Sequence, residues 1–392
     1  MGGGDNLLED TGLRVTVCDP VKVGDSVTKA YVVYTVKTRT TLAAFAAPKA
    51  EVSRRFSDFD WLRRRLVARY PALIVPKLPE KGMIGRFNAE FIEKRRKHLQ
   101  RFLARIASHP VLCNDDNLRL FLEALGELPK PDDGAGDDGS SSGGAGVLAN
   151  LSGGLDALRG GSRTDVDPWF DERHRALRTL DGQLKTMRKS IEGLVARRQQ
   201  LGATTSTLAG SIAVLGSNEE HAGLGEALNG LSRTQEGVSE LLGKQAEADA
   251  HLLSDTVEEY IGLIAAIEEC MQRRLRLHAD AQSASASLLK KREQEEKLKA
   301  AGRPDKAAAM AAEVEEASRR TDALQRQFEE ASKDIKDELV RFERERAAEF
   351  QRALVAFVEG YLSNQRSVVT LWQEFLPRVE RARAGSTSGA AR

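Results

Sequence analysis

Proline constrains this chain most, through where it is missing. Eight of the eleven prolines (Pro20, Pro48, Pro71, Pro76, Pro79, Pro110, Pro129 and Pro131) lie in the first 131 residues, and the remaining 261 residues hold only Pro168, Pro304 and Pro377. Proline lacks a backbone donor and its ring clashes with the preceding helical turn, so the proline-free runs of 135 and 72 residues between those three permit very long helices. The first third must be built otherwise. There Leu13-Arg-Val-Thr-Val and Ala30-Tyr-Val-Val-Tyr-Thr-Val alternate and are β-branched, and Glu51-Val-Ser-Arg-Arg-Phe reads as a third short strand. Helical spacing then takes over in three segments: Phe59, Leu62 and Leu66; Phe91, Leu99, Phe102 and Leu103; Leu118, Phe121 and Leu122. These elements make a small α+β domain over residues 13–126.

Residues 127–146, rich in Gly, Ser, Asp and Pro, cannot bury enough apolar surface to offset their ordering entropy and read as a flexible linker. Val147, Leu148, Leu151, Leu155 and Leu158 then fall on one helical stripe over 147–160. Gly153 and Gly154 each cost that helix roughly 1 kcal/mol against Ala. The segment reads either as a linker helix docking on the long helices C-terminal to it or as an amphipathic helix that folds at a membrane interface.

From 166 to 384 the periodicity is sustained. Asp167 is a suitable N-cap with Pro168 at the first helical position, and Leu177, Leu180, Leu184, Met187, Ile191, Leu194, Leu201, Leu208, Ile212 and Leu215 carry the stripe onward. Gly216-Ser-Asn218 should end this helix. A second runs through Leu224, Leu228, Leu231, Val238, Leu242, Leu252, Ile264, Ile267, Met271 and Leu275 to a stop at Ala301-Gly-Arg-Pro304, and a third runs from Met310 through Phe342 and Tyr361 to Leu376-Pro377. The second and third are each of order 100 Å long. Three such helices folding back antiparallel leave little core per residue, so a dimer is expected.

Catalytic chemistry finds no foothold. The six histidines show no metal-ligand spacing, the three cysteines (Cys18, Cys113, Cys270) no paired spacing, and no GxSxG or phosphate-loop motif occurs. No enzyme activity, metal or cofactor is expected. No apolar run is long enough to span a bilayer and the N-terminus lacks a signal-peptide pattern, which points to a cytoplasmic chain.

Charge is more telling. The chain sums to +1, but residues 1–126 carry +8 and the rest −7. The cations of the first domain are grouped in Arg54-Arg-Phe-Ser-Asp-Phe59, in Pro76-Lys-Leu-Pro-Glu-Lys81 and in Glu93-Lys-Arg-Arg-Lys97. A phosphate asks for convergent charge-assisted donors, best a guanidinium fork and a mobile ammonium, and an adjacent aromatic face can carry a sugar-like ring.

Arg54-Arg-Phe-Ser-Asp-Phe-Asp-Trp-Leu62, Pro76-Lys-Leu-Pro-Glu-Lys81, Phe91-Ile-Glu-Lys-Arg95-Arg-Lys-His-Leu99, His109-Pro-Val-Leu112 and Leu118-Arg-Leu-Phe-Leu122 resemble, in order, the phox-homology (PX) domain. That resemblance implies binding of phosphatidylinositol 3-phosphate: Arg55 on the 3-phosphate, Phe56 stacked on the inositol ring, Lys81 at the 1-phosphate and Arg95 on the ring hydroxyls. Lys77 stands where the family usually has the second proline of a Pro-Pro pair, and with Met83 and Ile84 it is a membrane-contact candidate. A PX domain, linker, amphipathic helix and three long helices ending Leu371-Trp-Gln-Glu-Phe-Leu-Pro377 resemble the PX-BAR sorting nexins, especially the retromer-associated group. The resemblance implies a three-stranded sheet plus helices and then a dimeric all-α BAR domain, homodimeric or heterodimeric with another sorting nexin. It also implies curvature sensing on the cytosolic face of endosomal membranes and a retromer link. Lys290, Lys291, Arg292, Arg303 and Lys306 cluster near the turn between the second and third helices and are further candidates for contact with anionic lipid, as are Leu148, Leu151, Leu155 and Leu158. Two other classes fit in part. One is a coiled-coil tether that uses PX only for targeting. The other, a nucleic-acid binder using Arg63-Arg-Arg65 and Arg95-Arg-Lys97, is disfavoured by the acidic second half.

Overall fold

The structure is a computed structural model that describes residues 11–24, 30–79, 88–129, 165 and 167–389. Strands β1 (Leu13–Val23), β2 (Tyr31–Thr40) and β3 (Lys49–Arg55) form an antiparallel sheet in that order. The alternation reads directly into burial: Leu13, Val15 and Val17 face the core while Arg14 and Thr16 between them are exposed. A bulge between Cys18 and Val21, with Asp19 at φ +46°, bends the far end of β1.

Helices α1 (Phe56–Arg69), α2 (Ala89–Ser108) and α3 (Asp116–Glu123) close over the sheet. Asn88 caps α2 through the Glu90 amide at 3.1 Å, and Asp115 caps α3 through the Asn117 and Leu118 amides at 2.7 and 3.2 Å. Phe59 lies at the centre, with the rings of Phe121, Phe102 and Tyr34 at 5.0, 6.4 and 6.4 Å. Each such buried aromatic or leucine contributes about 1.5–3 kcal/mol. The outer edge of β1 is met by side chains of α2. Gln100 donates to the Val15 carbonyl and accepts from the Val17 amide (2.9 and 2.5 Å), and Arg96 donates to the Val17 carbonyl (2.7 Å).

The long helices are α4 (Pro168–Ser217), α5 (Ala222–Asp249), α6 (Asp255–Ala300) and α7 (Pro304–Gly389). Asp167 caps α4 through the Trp169 amide at 3.0 Å. The stretch read as one second helix is α5 and α6 joined by a π-turn over Ala250–Ser254. That turn inserts a residue, so the buried leucine is Leu253, one place on from the Leu252 expected from periodicity. Pro377, read as the stop of the last helix, lies inside α7. It removes the helical donor to the Gln373 carbonyl, but Gln373 is exposed and water can satisfy that oxygen.

The chain divides into two compact units: Met1–Arg178 with Gly262–Phe342, and Thr179–Ile261 with Glu343–Arg392. In the first, α6 and α7 are joined by a left-handed Gly302 (φ +67°), whose amide donates to Lys299 O while that of Arg303 donates to Leu298 O. Arg274, almost fully buried, lies 3.6 Å from the Phe170 ring centroid and 4.8 Å from that of Phe328, and pairs with Asp165 at 2.7 Å. In the second unit the helices approach closely. A Cβ at Gly237 would stand 2.9 Å from Leu371 and one at Gly230 3.1 Å from Phe375, so these glycines let α5 and α7 pack. Ser239 and Ser232 donate to the Gly202 and Ala209 carbonyls, and buried Asp249 is held by Arg198 and Gln245.

Candidate functional site

The turn from β3 into α1 gives two neighbouring arginines opposite fates. Arg54 points inward and is 1% exposed. Its guanidinium donates to the carbonyls of Phe121 (2.8 Å), Ala124 (2.6 Å), Ser53 (3.0 Å) and Gly126 (3.3 Å), which ties the end of α3 to β3. Burial pulls its pKa below the usual arginine range, with Asp58 opposing. Arg55, one residue on, is half exposed and is the residue from which α1 starts. Its amide donates to Asp58 Oδ2 at 2.9 Å and its Nε lies 3.4 Å from Asp58 Oδ1.

Phe56 packs against the core from the first turn of α1. The guanidinium carbon of Arg95, from α2, lies 4.8 Å from the Phe56 ring centroid and 4.4 Å from that of Phe91. Burial lowers the Arg95 pKa, while the nearby Tyr34 hydroxyl supports its charge. Tyr34 is 1% exposed, and burial pushes its phenol up. The flat cation thus lies against two rings with the Tyr34 hydroxyl beside it, a cation and aromatic platform of the kind a polyhydroxylated or phosphorylated ring can use.

Of the residues expected to read a headgroup, Arg55, Phe56 and Arg95 are described, and Phe56 and Arg95 are in contact. Lys81 lies outside the described residues, as do Met83, Ile84, Leu148, Leu151, Leu155 and Leu158. The motif does not nominate Phe91 or Tyr34. Phe91 stands four residues before Arg95 on a helix, a spacing that could have singled it out; Tyr34 comes from a strand sixty residues away and carries no such signal. A groove of about 390 Å³ reaches Arg55 but neither Phe56 nor Arg95, and is lined by Tyr31, Val33, Glu51, Asp58, Leu125 and Glu127 among others. With three carboxylates to one guanidinium it disfavours an anion, which leaves the Phe56–Arg95 face as the better phosphate-reading surface.

Lys77 pairs with Glu269 on α6 at 3.1 Å. At the α6–α7 turn Lys291 pairs with Glu313 at 2.9 Å, while Lys290, Arg292, Arg303 and Lys306 are exposed or partly so. Among the described residues there is no group of side chains that could hold a metal ion and no helix long and apolar enough to cross a membrane.

Known proteins share this arrangement. A family model for the PX domain matches residues 43–125, and one described as Vps5 C terminal like matches residues 150–378, more than half of the chain. The chain belongs to the PX-BAR sorting nexins. Sorting nexin-2 of Bos taurus is 35% identical over 382 residues, covering 94% of this chain and 72% of the relative. Sorting nexin-1 of Mus musculus is 34% identical with the same coverage. The SNX-BAR Mvp1 tetramer, solved by cryo-EM, matches with a TM-score of 0.66 over 92% of this chain and 99% of its own, and at 19% identity that likeness is one of fold. The fold class is therefore an α+β PX domain followed by an all-α BAR-like region. Sorting nexins of this family are non-enzymatic adaptors.

Proposed function

We propose that this sorting nexin is a peripheral adaptor on the cytosolic face of endosomal membranes, acting in protein sorting and retrograde transport. It reads phosphatidylinositol 3-phosphate through residues 13–126 and senses or imposes curvature through a dimer of its 166–384 region. Residues 127–146 serve as linker and 147–160 as an amphipathic wedge. The observation that carries the reading is the Arg95 guanidinium resting against the Phe56 and Phe91 rings, with Arg55 immediately before Phe56 at the head of α1. This is the fork, ring platform and second fork that a phosphorylated inositol requires. Lys81 supplies the ammonium.

Dimerisation is supported by the apolar surface of the second unit. Leu201, Leu208, Leu215, Val355, Val358, Val369 and Leu376 are each about half exposed, apolar surface available for a second chain to cover. The partner is a second copy or another sorting nexin, and retromer is the further partner proposed. Linking headgroup contact to the exposed cations of the α6–α7 turn raises the effective concentration of each contact for the other.

Arg55→Ala is expected to abolish binding to vesicles that depends on phosphatidylinositol 3-phosphate, measured by vesicle sedimentation, and to leave the dimer intact by light scattering. Undiminished lipid specificity in the variant would refute the pocket. Electron microscopy of the same vesicles separates this reading from a tether, which would bind without preferring small vesicles or forming tubules.

A further inference from the structure

The segment leaving α1, Tyr70 to Lys77, does not end in solvent. Ala72, Leu73 and Val75 are buried, and the backbone around them is bonded to α6 and α7. Arg273 Nε donates to the Pro71 carbonyl at 2.8 Å, and the Cys270 thiol donates to that of Leu73 at 3.2 Å. The Ile74 amide donates to Glu338 Oε2 at 3.0 Å. On the same carboxylate, His109 Nε2 lies 3.1 Å from Oε1 and Arg341 Nη1 lies 3.0 Å from it. His109 Nδ1 accepts from the Val111 and Leu112 amides, which leaves Nε2 as the protonated, donating nitrogen. A second carboxylate, Glu269, takes Arg63 Nη2 at 2.7 Å and Lys77 Nζ at 3.1 Å, while Arg63 Nε donates to the Pro76 carbonyl.

Glu338 is 3% exposed. Burial alone would push its carboxyl up, but the His109 bond, the Ile74 amide and Arg341 together hold it below the usual glutamate range. A carboxylate so placed is committed to its partners, because losing any one strands a buried charge. Adhesion between two surfaces needs only apolar burial. Two carboxylates on the helices that each take two donors from the PX side instead select one register, since a slid or rotated arrangement leaves them unpaired.

We infer that residues 70–77 form a latch through which α6 and α7 fix the orientation of the PX domain, with Glu269 and Glu338 as positioning residues for membrane reading. The inference rests on the lipid function proposed above. The latch acts twice. It sets the headgroup surface in one pose against helices that carry their own cations, and it pins Lys77, four residues before Lys81 in the sequence. With the latch open the two parts stay joined through the chain, but each finds the membrane with less help from the other.

The test uses the full chain, wild type against Glu269→Ala/Glu338→Ala, with Glu269→Gln/Glu338→Gln as a milder, shape-conserving variant. Three quantities are read: amide hydrogen exchange over 70–77, affinity for soluble short-chain phosphatidylinositol 3-phosphate, and affinity for phosphatidylcholine–phosphatidylserine vesicles containing the same lipid. The wild type should protect Ile74, and the variants should lose that protection. Affinity for the soluble headgroup should stay within about twofold while vesicle affinity falls about tenfold. A wild-type segment exchanging at the rate of free chain overturns the latch, and so does vesicle affinity equal to wild type in unlatched variants. A parallel loss of soluble-headgroup affinity also overturns it, because the two glutamates would then be supporting the pocket itself. A wild type that protects 70–77 yet binds no soluble headgroup sinks the lipid reading while supporting the latch.

Discussion

The PX domain and the second helical unit spend the same kinds of side chain to opposite ends. Leu62, Leu66, Leu99, Leu103, Leu118 and Leu122 of the PX helices are all buried. Along α4 the same periodic leucines divide: Leu177, Leu184 and Ile191 are buried, whereas Leu194, Leu201, Leu208 and Leu215 are 39%, 54%, 48% and 58% exposed. Short elements wrapped around a sheet can satisfy every apolar face from within the chain. A helix of 50 residues offers more stripe than its own chain covers. Periodicity therefore announces a helix in both regions but announces a core only in the first.

The sharpest way to break this contrast is a pair of substitutions. Phe59→Ala empties the centre of the PX core, where three aromatic rings converge, and should cost about 3–5 kcal/mol of that domain's stability by denaturant titration. Leu208→Asp should leave helix content and the PX domain unchanged, yet weaken the dimer by roughly tenfold or more by sedimentation, since a charge would enter an apolar contact. A dimer indifferent to Leu208→Asp would mean that the exposed stripe of α4 is not where the second chain sits.

A smaller effect separates two adjacent residues of the motif. Arg54→Ala removes the donors to four carbonyls and should cost about 2–3 kcal/mol, lowering headgroup binding only as far as the domain unfolds. Arg55→Ala should change stability by less than about 0.5 kcal/mol. Equal losses of stability in the two variants would show that the inward and outward roles are assigned wrongly.

That pair also shows how far sequence reaches. Strand alternation tells that one of two consecutive arginines points inward, and the resemblance to PX domains says which one meets lipid. Strands, PX helices and the stops at Ser217 and Gly302 are legible from local chemistry, because alternation, caps and left-handed glycine act over a few residues. What stays hidden is non-local. Glu338 meets His109 across 229 positions, and nothing in the charged run of α7 distinguishes this glutamate from its exposed neighbours. Lys77 looks free for membrane contact because its partner, Glu269, is almost two hundred residues away. The π-turn is invisible for a different reason: a one-residue slip between two good helical stripes changes neither composition nor propensity.

The smallest effect tests the one device of the helical half that sequence does specify. Gly302 adopts φ +67°, and a Cβ built there meets nothing within 4 Å, so substitution is penalised by backbone conformation alone. Gly302→Ala should therefore cost only about 1–2 kcal/mol, felt as faster amide exchange in the last turn of α6 and the first of α7. Gly302→Asn should cost less, because asparagine tolerates the left-handed region better than alanine. The PX domain, whose core is remote in sequence and closed by its own side chains, should melt unchanged in both. An alanine variant that exchanges like wild type would mean that the Lys299 and Leu298 carbonyls do not depend on the turn, and that packing between α6 and α7 holds the hairpin without it.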